Sequence, residues 1–195
     1  DIELGELRKN IGTVMQEPFL FSGTLAENIA ITEKEPDPEK IKAVSAVACL
    51  EKTVEGFKEK YETIVGERGI TLSGGQKQRT AIARMLMLNS PVMVLDDSLS
   101  AVDTETDSKI RANLSDSFGG ATVFLISHRL TSLMKADTVI VLSDGKITES
   151  GSPDSLLEQN GQFAEIYRMQ MTLPEELKQI QHVKSDTEVK ITDEK

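Results

Sequence analysis

Apolar and polar positions follow two different spacings along this chain, and the switch between them divides it into strands and helices. Residues 92–95 (Val-Met-Val-Leu) and 121–126 (Ala-Thr-Val-Phe-Leu-Ile) are short, nearly continuous apolar runs, the pattern of strands buried on both faces of a parallel sheet. Residues 11–15 predict a third strand that ends at Gln16. Between them apolar residues recur at helical spacing: Ile41, Val44, Val47, Ala48 and Leu50 form one stripe, and Ala81, Ile82, Met85, Leu86 and Leu88 form another.

Capping and breaking residues place the ends of these elements. Asp37-Pro38-Glu39 is a helix start, with an acid to cap, proline at the first helical position and an acid near the positive end of the dipole. Residues 72–76 lead into a helix over 77–88, which Asn89-Ser90-Pro91 stops; a further helix runs from about 104 to 118 behind Asp103. Residues 138–142 and 146–149 flank Asp144-Gly145 and read as a hairpin. Ser152-Pro153 opens a helix closed at Gly161, and 163–171 makes one more. Beyond it the chain is polar, with Leu177, Ile180 and Val183 offering at most a short amphipathic helix and the last dozen residues expected to be disordered. The strand–helix–strand alternation predicts an α/β fold with a mainly parallel sheet, whose ligand binds beyond the carboxyl ends of the strands.

Composition narrows the picture. A chain of 195 residues is a one-domain quantity able to bury a core. The net charge of −10 and the lack of a segregated basic cluster argue against nucleic acid as a partner. The single cysteine, Cys49, excludes an internal disulfide and points to a reducing compartment; with only His128 and His182 beside it, a Cys/His zinc site lacks ligands. No apolar run approaches the ~20 residues of a membrane span, and the start at Asp1 without a signal-peptide pattern suggests a piece of a longer polypeptide.

Four places carry candidate chemistry. Asp96 closes an apolar strand, where a carboxylate can hold Mg²⁺ through water beside phosphates or can merely cap the next loop. Ser73-Gly74-Gly75 stands before a helix, where backbone amides and the dipole attract phosphate; an ordinary helix cap is the alternative. His128 follows a strand, from which imidazole can donate to a developing phosphoryl oxygen or simply serve structure. A serine hydrolase would also use a histidine, but Gly-x-Ser-x-Gly is absent. Gln16, at a strand end, can ligand Mg²⁺, orient water or stay a solvated loop amide.

The joint order of Gln16, residues 72–76 (Leu-Ser-Gly-Gly-Gln), residues 92–97, Ser100-Ala101-Val102-Asp103 and His128 resembles the nucleotide-binding domain of ABC transporters, from about residue 1 to 171. The resemblance implies a P-loop NTPase-like α/β fold with a helical signature subdomain at about 24–88 and ATP with Mg²⁺ as ligands; the polar stretch over 172–195 is a tail beyond it. By it Gln16 is the Q-loop glutamine, and Leu72, Ser73, Gly74, Gly75 and Gln76 form the signature that meets a γ-phosphate held by a partner domain. Asp96 is the Walker B acid, holding Mg²⁺ with Gln16 through water. Ser100 and Asp103 belong to the D-loop, Asp97 stands at the general base, and His128 is the switch histidine. Residues 16–24 and 63–69 look like the Q-loop context and X-loop of exporters, in which this domain follows six membrane helices and sits at the cytoplasmic face of the membrane.

Two departures from the family pattern stand out. The 195 residues contain no Gly-x-x-x-x-Gly-Lys-Ser/Thr and no adenine-stacking aromatic before it, so the phosphate-cradling loop is missing and the chain alone is expected to be inactive. Position 97 holds aspartate where the family has glutamate. The carboxylate is set back by ~1.5 Å, and errors of ~1 Å can cost on the order of 100-fold in rate. The sequence therefore resembles the degenerate-site subunit of heterodimeric bacterial multidrug exporters, whose intact signature completes the competent site of a second half-transporter while a small molecule is moved. A non-hydrolysing regulatory half and a DNA-associated ABC ATPase are the other two readings, in that order.

Overall fold

The computed structural model describes residues 2–66, 69–117 and 120–172, which fall into two compact units that meet in sequence at His128 and Arg129. The predicted tail apart from Thr172, which ends the last helix, and two residues of the predicted X-loop, Glu67 and Arg68, lie outside the described residues, and with the tail Leu177, Ile180 and Val183.

The first unit runs α1 (Leu4–Asn10), β1 (Ile11–Val14), β2 (Gly23–Thr24), α2 (Leu25–Ile29), α3 (Pro38–Val47) and α4 (Glu51–Glu55). A 3₁₀ turn (Lys60–Glu62) leads to β3 (Ile64–Val65), α5 (Gly74–Met87), β4 (Val92–Asp96), α6 (Thr104–Ser117) and β5 (Thr122–Ile126). Strands β1, β4 and β5 form a parallel sheet with β4 in the centre, in register Val14 to Leu95 to Leu125. Helix α5 lies against β1 on one face, where the place of a Cβ on Gly12 is 2.8 Å from the Met85 side chain. That face buries Val14, Met93 and Leu95. A short antiparallel pair, β2 with β3, closes the loops before α2 and after the 3₁₀ turn.

Local chemistry explains the helix starts. Asp37 accepts from the Glu39 amide at 2.9 Å with Pro38 at the first helical position, and Asp103 accepts from the Thr106 amide at 2.9 Å. Ile41, Val44, Ala48 and Leu50 of the predicted stripe are buried. Helix α5 begins at Gly74, earlier than the predicted 77, because Ser73 and Gln76 cap it reciprocally.

Two strand expectations are corrected. Strand β4 is buried on one face only: Met93 and Leu95 are inside, while Val92, Val94 and Asp96 are half-exposed. Strand β5 is not buried, with Val123, Phe124 and Ile126 between 46% and 52% exposed. The apolar run signals what such side chains tolerate. Cover must come from long-range packing, and among the described strands β5 has a neighbour on one side only.

The second unit contains α7 (Leu130–Leu133), β6 (Val139–Ser143), β7 (Lys146–Gly151), α8 (Pro153–Gln159) and α9 (Gln162–Thr172). Strands β6 and β7 form the predicted hairpin, and the turn has φ of 50° at Asp144 and 73° at Gly145, the double left-handed geometry of a type I′ turn. Helix α8 ends on Asn160 at φ 54°, not on Gly161; asparagine tolerates this conformation, and Gly161 is already the residue before α9. Leu130, Val139, Leu156 and Phe163 make this unit's core.

Candidate functional site

Because β1, β4 and β5 run parallel, their carboxyl ends share one edge of the sheet, and the predicted residues follow those ends. Gln16 stands exposed just past β1, Asp96 is the half-exposed last residue of β4, and His128 is exposed just past β5. The register pairs Asp96 with Ile126. Asp97 turns the chain sharply at φ 40°, donating its amide to the Ile126 carbonyl at 2.9 Å and accepting from the Ser100 amide at 3.0 Å. Ser100 and Asp103 follow in the loop that leads into α6.

The start of α5 is built from its own sequence. The Gln76 amide donates to Ser73 Oγ at 3.3 Å, and the Ser73 amide donates to Gln76 Oε1 at 2.9 Å. Gly74 and Gly75 occupy the first two helical positions, whose amides have no acceptor within the helix. Leu72, 3% exposed, anchors the approach in the core. Glycine is required at 75 by a close approach: a Cβ there would stand 2.8 Å from the Ala101 carbonyl oxygen, so the helix start and the 100–103 loop touch backbone to backbone.

Three residues outside the predicted set hold this arrangement together. Gln78, 3% exposed on the buried stripe of α5, accepts from the Ala101 amide at 3.0 Å and donates to Ser100 Oγ at 3.2 Å and to the Gln16 carbonyl at 3.5 Å. Asn28 and Arg84 fix the loop after Gln16. Asn28, 1% exposed, accepts from the Phe21 amide and donates to the Phe21 and Thr24 carbonyls at 2.9–3.0 Å. Arg84 donates to the Asn28 carbonyl at 2.7 Å, to Asn28 Oδ1 at 3.0 Å and to the Phe19 carbonyl at 2.9 Å. Burial pulls the Arg84 guanidinium below its usual pKa, yet it stays charged, since guanidinium does not deprotonate in proteins. The fastened loop presents Phe19 and Phe21 edge to face, both more than half exposed, with Arg84 over the Phe21 ring. The available signal for Gln78 and Arg84 was a polar residue at the spacing of a buried stripe.

The donors along this edge are hard oxygens: the Asp96 carboxylate, the Gln16 side-chain amide and the Ser100 hydroxyl. They suit Mg²⁺. Among the described residues no three His, Cys, Asp or Glu side chains gather into a metal-binding group.

Comparison with known proteins gives the family and the fold. The ABC transporter family profile matches residues 1–100. The chain is 42% identical over 174 residues to the ATP-dependent lipid A-core flippase of Haemophilus influenzae (strain 86-028NP), covering 88% of this chain and 30% of that protein. It is 41% identical over 169 residues to the multidrug resistance-like ATP-binding protein MdlA of Escherichia coli (strain K12), covering 87% and 29%. Among solved structures, a bacterial Atm1-family ABC exporter with ATP bound superposes with a TM-score of 0.83 at 36% identity, over 87% of this chain and 30% of that one. The chain belongs to the ABC transporter family, and its fold is that of the ATPase domain of an ABC exporter. It spans about 30% of the length of these relatives.

Proposed function

We propose that this chain is the ATP-binding domain of an exporter, coupling ATP binding and hydrolysis to efflux of a small molecule at the cytoplasmic face of a membrane. Its partners are a fused membrane domain and a second half-transporter, with which it forms a heterodimer. The names of its relatives, a lipid flippase and a multidrug resistance-like protein, support the transport reading. No helix among the described residues is long and apolar enough to cross a membrane, so the substrate contacts are assigned to that membrane domain.

The observation that carries the division of labour is the contrast between positions 72–76 and 97. The start of α5 keeps an intact capping box and two glycine amides with no acceptor in the helix, the chemistry of an anion site. We assign those amides and Ser73 to the γ-phosphate of a nucleotide bound on the partner. Mg²⁺, where bound, neutralises charge between the phosphates; Asp96 and Gln16 would hold it. His128 donates to the phosphoryl oxygen as charge develops there, and Asp97 orients water less well than a glutamate would, because its carboxylate is set back. Asp97 also favours a second reading, a regulatory half that binds nucleotide and hydrolyses nothing itself. Turnover of the assembly after removal of the partner's catalytic glutamate separates the two: residual hydrolysis supports the first.

The test of the main reading is steady-state ATPase of the assembled transporter. Ser73→Arg places a long side chain where the phosphate belongs and is expected to abolish most turnover, whereas Asp97→Asn is comparatively mild. Normal turnover in a folded Ser73→Arg protein overturns the assignment in trans.

A further inference from the structure

A buried amide in an otherwise apolar stripe is costly unless every polar atom is paired, and the pairing of Gln78 is unusual in where it leads. Its helix carries the 72–76 segment at one end. Its side chain leaves that helix and reaches two loops distant in sequence, at Gln16 and at Ser100-Ala101. The partners fix its orientation: Ala101 N–H needs an acceptor and the Gln16 carbonyl needs a donor, so a flipped amide would set donor against donor. Beside it the helix start and the loop already touch, since Gly75 leaves no room for a Cβ against the Ala101 carbonyl. Two independent contacts therefore bind the same pair of backbones.

We propose that Gln78 is a positioning residue that locks the start of α5, the 100–103 loop and the Gln16 loop into one body, so that a displacement at any of them is passed to the other two. This deepens the reading given under Proposed function and rests on it. Gln78 touches no reacting atom; it acts through Gln16, Ser100 and Ala101. Its loss should leave nucleotide affinity largely intact, because no phosphate contact is removed, and should lower the rate at which bound nucleotide turns over.

The experiment uses the assembled transporter and compares Gln78→Met, which keeps length and helix preference but removes all three hydrogen bonds, with Ile82→Val, an equally buried change on the same helix that removes no hydrogen bond. Both should lower the melting temperature by a few degrees. Gln78→Met is expected to reduce kcat at least tenfold with KM within twofold, and to speed hydrogen exchange of the Ala101 amide about tenfold while the Ser100 amide, bonded to the Asp97 carbonyl, stays protected. Ile82→Val should leave kcat unchanged. Should Gln78→Met fail to fold, Gln78→Asn keeps the amide but falls one methylene short, and the same split is expected of it. Wild-type kcat in either folded variant, or loss of kcat equal to that in Ile82→Val, overturns the inference. A wild-type assembly without ATPase activity overturns the underlying reading instead.

Discussion

At position 97 a shortened carboxylate coincides with a left-handed backbone. A φ of 40° costs most L-residues about 1–2 kcal/mol, and aspartate is among the residues that bear it best. Asp97→Glu is therefore expected to have two opposite effects: faster hydrolysis at this subunit's own site, as the carboxylate returns to the attacking water, and a modest fall in melting temperature. ATPase of an assembly whose partner glutamate has been removed reads the first, and calorimetric melting reads the second; unchanged turnover with an intact opposing signature refutes the assignment of the base. Asp103 gives a pH test. The Thr106 amide holds its carboxyl below the usual range, so its stabilising effect is complete above the ordinary carboxylate pKa and fades as pH falls through the lower folded value. The melting-temperature gap between wild type and Asp103→Ala should be open at pH 6 and narrow as the pH falls below the ordinary carboxylate range. Both residues were legible as chemistry because acids at strand ends and helix caps have local causes. The conformation at 97 was not, since the turn forms only when Asp97 meets Ile126 of a strand distant in sequence.

Among the elements, helix starts were readable and the packing between elements was not. Asp37, Ser73, Asp103 and Ser152 each cap the helix that the sequence assigns to them, because a cap involves only a few neighbouring residues. Nothing local distinguishes Asn28 from a solvated polar residue, and for Gln78 and Arg84 the spacing of the buried stripe marks the position but not the partners, which lie up to 65 positions away. That long-range clamp makes the loop between β1 and α2 an independent test. All four hydrogen-bonding positions of the Asn28 amide are directed at protein groups, so Asn28→Ala should cost about 2–3 kcal/mol in thermal or denaturant unfolding. Arg84→Lys should lose most of the same stability, because a single ammonium cannot reproduce a three-way fork. Near wild-type stability of both proteins would show that the loop is held in some other way. Gly75→Asp is a poor probe of the phosphate reading for a related reason: any Cβ at 75 collides with Ala101, so Ser73→Arg is the cleaner variant.

For the molecule as a whole, two features bear on how the 195-residue chain behaves in isolation. The edge of β5 that no described strand pairs, flanked by half-exposed Phe124 and Ile126 on one face and Val123 on the other, is a template for pairing with another chain, opposed by a net charge of −10. The isolated chain is expected to self-associate as salt screens that repulsion, and Phe124→Lys to keep it monomeric in sedimentation velocity; monomers of wild type at high salt count against the pairing. The second feature concerns ligand binding. The residues assigned to nucleotide here, Asp96, Gln16 and His128, approach from the carboxyl edge of the sheet, and the 72–76 amides are assigned to a nucleotide on another subunit. No Gly-x-x-x-x-Gly-Lys-Ser/Thr exists within these residues to supply the amides and lysine that make most charge-assisted hydrogen bonds to the phosphates. The isolated chain should then show no ATPase activity and bind MgATP more weakly than about 1 mM, which corresponds to roughly −4 kcal/mol. Titration calorimetry decides: micromolar binding by this chain would mean that its own edge cradles the phosphates and that the assignment of 72–76 to a partner's nucleotide is unnecessary.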